Sequence, residues 1–202
     1  MPDTKSAGAR LFVAIFPPQS VVEALMAEIA KVASRGGAIR WTKPQQIHLT
    51  LNFLGHVEAG RVAEFARGVG AAAAEATRHS LEVVGLGTFP SAKRPRILWA
   101  GLGGEMGPLL ALKLALDRRM QALGWVPEER DFHPHLTIGR ARDMGARERA
   151  ELAAFIDSHA SWRFGAWPVE RVALMRRSLL PGGAQYSVEC SFDLPKSRAT
   201  PA

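Results

Sequence analysis

Two short segments carry residues whose types and spacing suit proton transfer: His48-Leu49-Thr50-Leu51 and His135-Leu136-Thr137-Ile138. In an extended strand, alternate side chains share a face. The first segment is then predicted to set His48, Thr50 and Asn52 on one face and Leu49, Leu51 and Phe53 on the other. The second sets His135 and Thr137 against Leu136 and Ile138. Each strand would bury one face and offer an imidazole beside a hydroxyl on the opposite one. Two such strands side by side place two imidazoles and two hydroxyls in one groove.

That set suits attack on a phosphodiester. A neutral histidine takes a proton from the incoming nucleophile, and a protonated one supplies a proton to the departing oxygen. Each transfer is worth about 10²–10⁴ in rate. An ordinary imidazole pKa of about 6.5 lets both protonation states exist near neutrality. Threonine hydroxyls can donate to the non-bridging oxygens as charge builds there. The scheme requires no metal and no nucleophilic side chain. A metal reading would instead use His48, His133 and His135, because His-x-His on a strand points both rings the same way. No Asp or Glu accompanies either motif within its strand, so a site without metal or cofactor is expected.

One His-x-Thr alone is most simply a half-buried strand. The weight comes from two copies in phase with an internal repeat: Leu11 lies 37 residues before His48, and Leu98 lies 37 residues before His135. A strand, a helix and a His-x-Thr segment occupy each half, which predicts two similar lobes.

The remaining elements follow from apolar period and punctuation. Residues 11–16 read as a buried strand closed by Pro17-Pro18, which also opens a helix. Val21, Val22, Leu25, Met26, Ile29 and Val32 keep helical spacing up to Gly36-Gly37. A short extended piece over 39–42 leads into a strand over 47–54, then a helix over 58–77. Strands are expected over 81–88 and 96–101, and Leu109, Leu112, Leu116, Met120 and Leu123 mark a third helix. The second motif lies in a run over 132–139, followed by a helix over 146–158. Strands over 167–178 and 184–192 flank Pro181-Gly182-Gly183 as a hairpin, and the tail after Pro195 is expected to fray.

Composition narrows the class. The chain has 202 residues, 47% of them hydrophobic and 22% charged, which is ordinary for a folded domain and excludes disorder as the main state. A lone cysteine, Cys190, excludes an internal disulfide and a cysteine-based zinc site. The start of the chain is polar, and Lys113 interrupts the longest apolar helical stretch, so neither a signal peptide nor a membrane span is expected. A cytoplasmic protein is the natural expectation. Net charge is +7, and 20 of the 26 basic residues are arginine, whose flat fork suits phosphate.

The chain resembles the RNA 2′,3′-cyclic phosphodiesterases, also called 2′-5′ RNA ligases, of the 2H phosphoesterase superfamily. The likeness runs through Leu11-Phe12-Val13-Ala14-Ile15 with Pro17-Pro18, and Arg40-Trp41 ahead of the first motif, which ends on Gly55. It continues in residues 96–101, in 132–140 around the second motif, and in the closing hairpin from Ser178 through Tyr186 to Phe192. The resemblance implies metal-independent hydrolysis of an RNA-terminal 2′,3′-cyclic phosphate to a 2′-phosphomonoester. Ligation of 2′-5′ RNA ends is the reverse activity that the second name adds. His48 would be the proton donor to the leaving 3′ oxygen, His135 the acceptor that activates water, and Thr50 and Thr137 would hold the phosphate.

The implied fold is α+β, with two pseudo-symmetric lobes of antiparallel sheet, outer helices and a central active-site groove. The whole chain, 1–202, would form one bilobal domain with motifs at 48–51 and 135–138. Arg140 closes the second motif and is the candidate phosphate contact, although strict alternation turns it away from His135 unless Gly139 introduces a bulge. Trp41 and Phe16 are candidates for stacking on a base. His56, His79 and His159 carry no expected chemistry, and Tyr186 is unassigned. The implied partner is RNA with 2′,3′-cyclic phosphate or 2′-phosphate ends, and a monomer with no obligatory protein partner is expected. Two other readings are an inactive RNA-binding module and a relative acting on a small cyclic nucleotide or ADP-ribose cyclic phosphate.

Overall fold

The first strand has two kinds of surroundings, and they define the architecture. In the computed structural model, which describes residues 8–33, 38–181 and 183–196, this strand is β1 (Ala9–Ile15). Leu11, Val13 and Ile15 enter the main core, whereas Phe12 and Ala14 join a separate apolar cluster with Ala173, Met175 and Tyr186. The main core also takes the buried stripes of the helices, among them Val21, Leu25, Phe65, Val69, Leu112 and Leu116. Helices therefore cover one face of the sheet and leave the Phe12 face open.

After β1 come α1 (Gln19–Ala33), β2 (Ile39–Trp41), β3 (Leu49–Val57), α2 (Val62–Glu75), β4 (His79–Phe89) and β5 (Ile97–Gly104). Then follow α3 (Met106–Ala122), β6 (His135–Ala141), α4 (Ala146–Ser158), β7 (Arg163–Val169), β8 (Arg171–Leu180) and β9 (Gly183–Asp193). The strands form one sheet in the order β7-β4-β5-β6-β3-β1-β8-β9, with β2 also beside β6. The described pairings are antiparallel. The order is palindromic in role: β6, β5, β4 and β7 answer β3, β1, β8 and β9. The 37-residue echo is the path from β1 through α1 to the first motif, repeated from β5 through α3 to the second. The expected α+β fold of two antiparallel lobes with outer helices is thus present.

The structure corrects two expectations. The strand expected over 167–178 is two strands that part at Glu170 and go to opposite ends of the sheet. β7 pairs with β4, while β8 lies between β1 and β9. Alternation runs on through the break, so pattern alone cannot show it. Pro168, which has no N–H to give a ladder, is tolerated because β7 is an edge strand.

The second correction concerns the faces of the motif strands. Ala14 pairs with Thr50 but Val13 pairs with Asn52, so Leu51 is an extra residue, a β-bulge. The bulge inverts the alternation beyond it. Asn52 is 2% exposed on the core side, not in the groove, and Phe53 is 57% exposed on the groove side. A buried amide needs a partner, and Asn52 Nδ2 donates to Asp117 Oδ1 on α3 at 2.6 Å. Asp117 also accepts from Lys113 Nζ at 2.6 Å. In β6, Trp99 pairs with Thr137 but Leu98 pairs with Gly139, so Ile138 is the extra residue. Arg140 returns to the groove face. A Cβ at Gly139 would lie 3.0 Å from Ile39 and 3.1 Å from Trp41, so any larger residue there would push those two side chains aside.

The Gly36-Gly37 helix stop, Gly182 of the hairpin turn and the tail beyond Lys196 lie outside the described residues. Among the described residues no helix is long and apolar enough to cross a membrane.

Candidate active site

The two motif strands meet at one ladder pair, Leu49 opposite Leu136. Both leucines are buried, at 1% and 0% exposure, and anchor the junction to the core. The single pair therefore sets the two His-x-Thr segments on neighbouring antiparallel strands. Ala14 lies beside Thr50 in β1 and Gly101 beside His135 in β5, whereas Trp99 lies beside Thr137.

Both rings are held the same way. His48 Nδ1 lies 2.7 Å from the Gln46 carbonyl oxygen, and His135 Nδ1 lies 2.6 Å from that of His133. A carbonyl only accepts, so each Nδ1 carries the hydrogen and donates it. In the neutral ring this leaves the lone pair on Nε2, the nitrogen able to take up a proton. Burial pushes the pKa of His48 below the ordinary value, its backbone hydrogen bond opposes this, and a charge on His135 lowers it further. Burial is also the largest cause of the lowered pKa of His135, with the charges of His133 and Arg140 adding to it. The Leu49–Leu136 pair puts His48 and His135 on neighbouring strands, and Arg140 stands on the groove face of the His135 strand.

Aromatic side chains complete the walls. Phe12, Phe16 and Tyr186 have ring centroids 5.1, 5.7 and 5.5 Å from His48. Phe89 meets His135 edge-on at 5.1 Å. Phe16 is therefore beside the site, at 39% exposure. Trp41 is not. It pairs with Gly139 on the core side of β2 and packs against the main core, so it cannot stack on a groove ligand. Its neighbour Arg40 takes the groove side, opposite Arg140, and both guanidinium groups are exposed.

The His133 ring stands 6.3 Å from Phe89. Among the described residues no three His, Cys, Asp or Glu side chains converge as a metal site. His79 and His159 are buried structural residues. His79 Nδ1 donates to the Thr77 carbonyl, and His159 Nε2 lies 3.2 Å from Glu28, tying the end of α4 to α1.

Residues 15–99 and 105–186 match the family described as LigT like Phosphoesterase. The chain belongs to the LigT-like phosphoesterases. Named RNA 2′,3′-cyclic phosphodiesterase, a protein of Thermus thermophilus is 32% identical over 196 residues, 92% of this chain and 90% of its own. One of the same name from Aeropyrum pernix is 31% identical over 155 residues, 77% of this chain and 86% of its own. In three dimensions the chain is similar to TT0787 of Thermus thermophilus, with a TM-score of 0.75, 29% identity and coverage of 94% and 100% of the two chains. It shares the fold of Escherichia coli LigT, solved with 3′-AMP, at a TM-score of 0.73, 23% identity and coverage of 93% and 99%.

This LigT-like chain has groove residues that the motif pattern did not mark: Phe53, Tyr186, Phe89 and Arg40. A signal for Phe53 existed. Arg140 needed a bulge to reach its histidine, and Phe53 stands at the same place in the first motif, 87 residues earlier. For Tyr186 no local signal exists, because its position depends on β8 pairing with a strand at the other end of the chain.

Proposed function

We propose that this phosphoesterase opens the 2′,3′-cyclic phosphodiester at an RNA terminus to a 2′-phosphomonoester without metal, working as one bilobal unit. The observation that carries the reading is the antiparallel pair Leu49 and Leu136, which sets the two His-x-Thr segments side by side. His135 Nε2 takes a proton from water as the water oxygen attacks phosphorus. The bond from phosphorus to O3′ breaks, and protonated His48 gives its Nε2 proton to the departing O3′. Thr50 and Thr137 donate hydrogen bonds to the non-bridging oxygens as charge builds there, and the Arg140 guanidinium neutralises it. The lowered pKa of His48 leaves the free ring neutral at pH 7, and the negative charge of a bound phosphodiester favours the protonated form that the acid role requires.

The names of the relatives support the choice of substrate. The aromatic rings beside His48 support the choice of donor, since they suit the nucleoside that carries the departing oxygen. A cytoplasmic monomer acting on RNA ends is the setting this reading implies, and light scattering tests its monomeric part. The deciding experiment is incubation of the EDTA-treated protein with an RNA bearing a 2′,3′-cyclic end, with the product identified by phosphorus NMR. A 2′-phosphate is expected. A 3′-phosphate would exchange the leaving oxygen, and full activity after His48→Ala or His135→Ala would remove the mechanism.

A further inference from the structure

The groove face of the first lobe does not end at the rings around His48. Further along the same strands, Arg10 lies opposite His56 in β3 and opposite Arg177 in β8, and Arg177 in turn lies opposite Tyr186 in β9. Arg10, His56 and Arg177 are exposed and line one depression with Ser178 and Leu179. Two cations set opposite each other across strands oppose folding.

Three other arginines of the outer strands meet carboxylates. Arg171 meets Asp193 at 2.6 Å, Arg163 meets Glu82, and Arg176, the residue before Arg177, meets Glu189. Among the described residues no carboxylate forms an ion pair with Arg10 or Arg177, nor with Arg40 or Arg140 beside the motifs. The row keeps an uncompensated positive charge on an open face that runs into the catalytic groove.

Spacing identifies what the row fits. From Ala14, which lies beside Thr50, back to Arg10 is four residues of β1, about 13 Å at the rise of a strand. That lies beyond the phosphate of a bound mononucleotide and within reach of the next backbone phosphates of a strand. The surface between is apolar, with Phe53, beside Phe12, at 57% exposure and Val188, beside Met175, at 59%. Bases stack on such rings without sequence preference, and guanidinium forks grip phosphates.

We propose that Arg10 and Arg177 form a backbone-phosphate subsite for the RNA strand that leads into the reacting end. The enzyme then prefers oligonucleotide ends to cyclic mononucleotides. The inference rests on the proposed RNA-end activity.

The test compares Arg10→Gln/Arg177→Gln with the unsubstituted protein in two assays. In the first, the ratio of kcat/KM on a pentanucleotide with a 2′,3′-cyclic end to that on a cyclic mononucleotide is expected to fall about tenfold, as lost hydrogen bonds to charged phosphates imply. In the second, fluorescence anisotropy follows binding of a pentanucleotide with a 2′-phosphate end, which needs no turnover. There the slope of log affinity against log salt is expected to shrink by about 1.4, two single-strand phosphate contacts. Arg10→Lys/Arg177→Lys retains most of that slope, and Arg177→Gln alone serves if the double variant does not fold. An unchanged ratio or an unchanged slope overturns the subsite, including a loss shared equally by both substrates. If the unsubstituted protein opens neither substrate, the proposed activity fails, while the anisotropy assay still decides the subsite.

Discussion

The two lobes share a backbone and differ in what they hang on it. Motif positions 87 residues apart correspond: His48 with His135, Thr50 with Thr137, the bulged Leu51 with the bulged Ile138, and Phe53 with Arg140. Both bulges turn the residue two places later into the groove. In the first lobe that residue is a phenyl ring, in the second a guanidinium. His48 is walled by Phe12, Phe16 and Tyr186, whereas His135 has Phe89 and the charge of Arg140. On the proposed mechanism, the symmetric part of the site performs proton transfer and the asymmetric part sorts substrate. Apolar walls suit a sugar and base, and the cation suits a phosphate.

The strongest way to test the symmetric part is to remove either histidine. His48→Ala and His135→Ala are each expected to lower kcat by about 10²–10⁴, with the double variant little worse than the weaker single one, because the two act as a unit. A loss from one substitution only would break the equivalence.

The asymmetric part is tested next. Arg140→Gln should lower kcat/KM about 10²-fold, mostly through kcat, as loss of a group that stabilises developing charge does. Phe53→Ala should act mainly on KM, about tenfold, the size of one lost stacking contact. Steady-state kinetics on an oligonucleotide separates these outcomes. A pure KM effect at Arg140 would reduce the two positions to the same role.

How legible this contrast is in sequence depends on range. Parity along five residues is local, so His48, Thr50, His135 and Thr137 could be set on one face before any partner strand was known. The echo at 37 residues joined them into one site. The bulge at Leu51 depends on how β1 lies against β3, and strict alternation put Asn52 and Phe53 on each other's faces. Trp41 was misplaced for a related reason. A three-residue strand has no pattern of its own, and only its pairing with Gly139 decides that Arg40, not the indole, faces the groove. The break at Glu170 is hidden because both sides of it alternate alike.

The bulge of the first lobe can be tested through its support. Asp117→Ala strips Asn52 and Lys113 of their shared acceptor and is expected to cost about 2–3 kcal/mol in urea unfolding, as an unpaired buried polar group does. It should raise KM more than it lowers kcat, since the histidines keep their own carbonyl partners. The reverse pattern would show that Asn52 supports the chemistry and not the aromatic wall.

The smallest effect is in pH. Both imidazoles have pKa values below the ordinary 6.5, so the bell-shaped profile of kcat/KM should peak on the acid side of that value. Arg140→Gln removes one of the charges that depress His135 and should move the limb belonging to that ring toward higher pH. Stability follows the same sign. Protons bind the unfolded chain more readily than the folded one, so stability falls as pH drops from about 6.5 through the folded values. His48→Gln and His135→Gln should each lessen that fall, measured as Tm against pH.

The parting of the chain at Glu170 has a genetic consequence. The stretch after α4 gives its first strand, β7, to one lobe and its next two, β8 and β9, to the other. α1, which comes after the first strand of one lobe, packs against β7 of the other. No single cut of the chain yields two intact lobes, because a break between the motifs leaves β1 without β8. A pattern repeated in sequence is laced shut in space. The two lobes differ at Phe53 and Arg140, but a gene fragment that carried one motif alone would encode neither lobe whole.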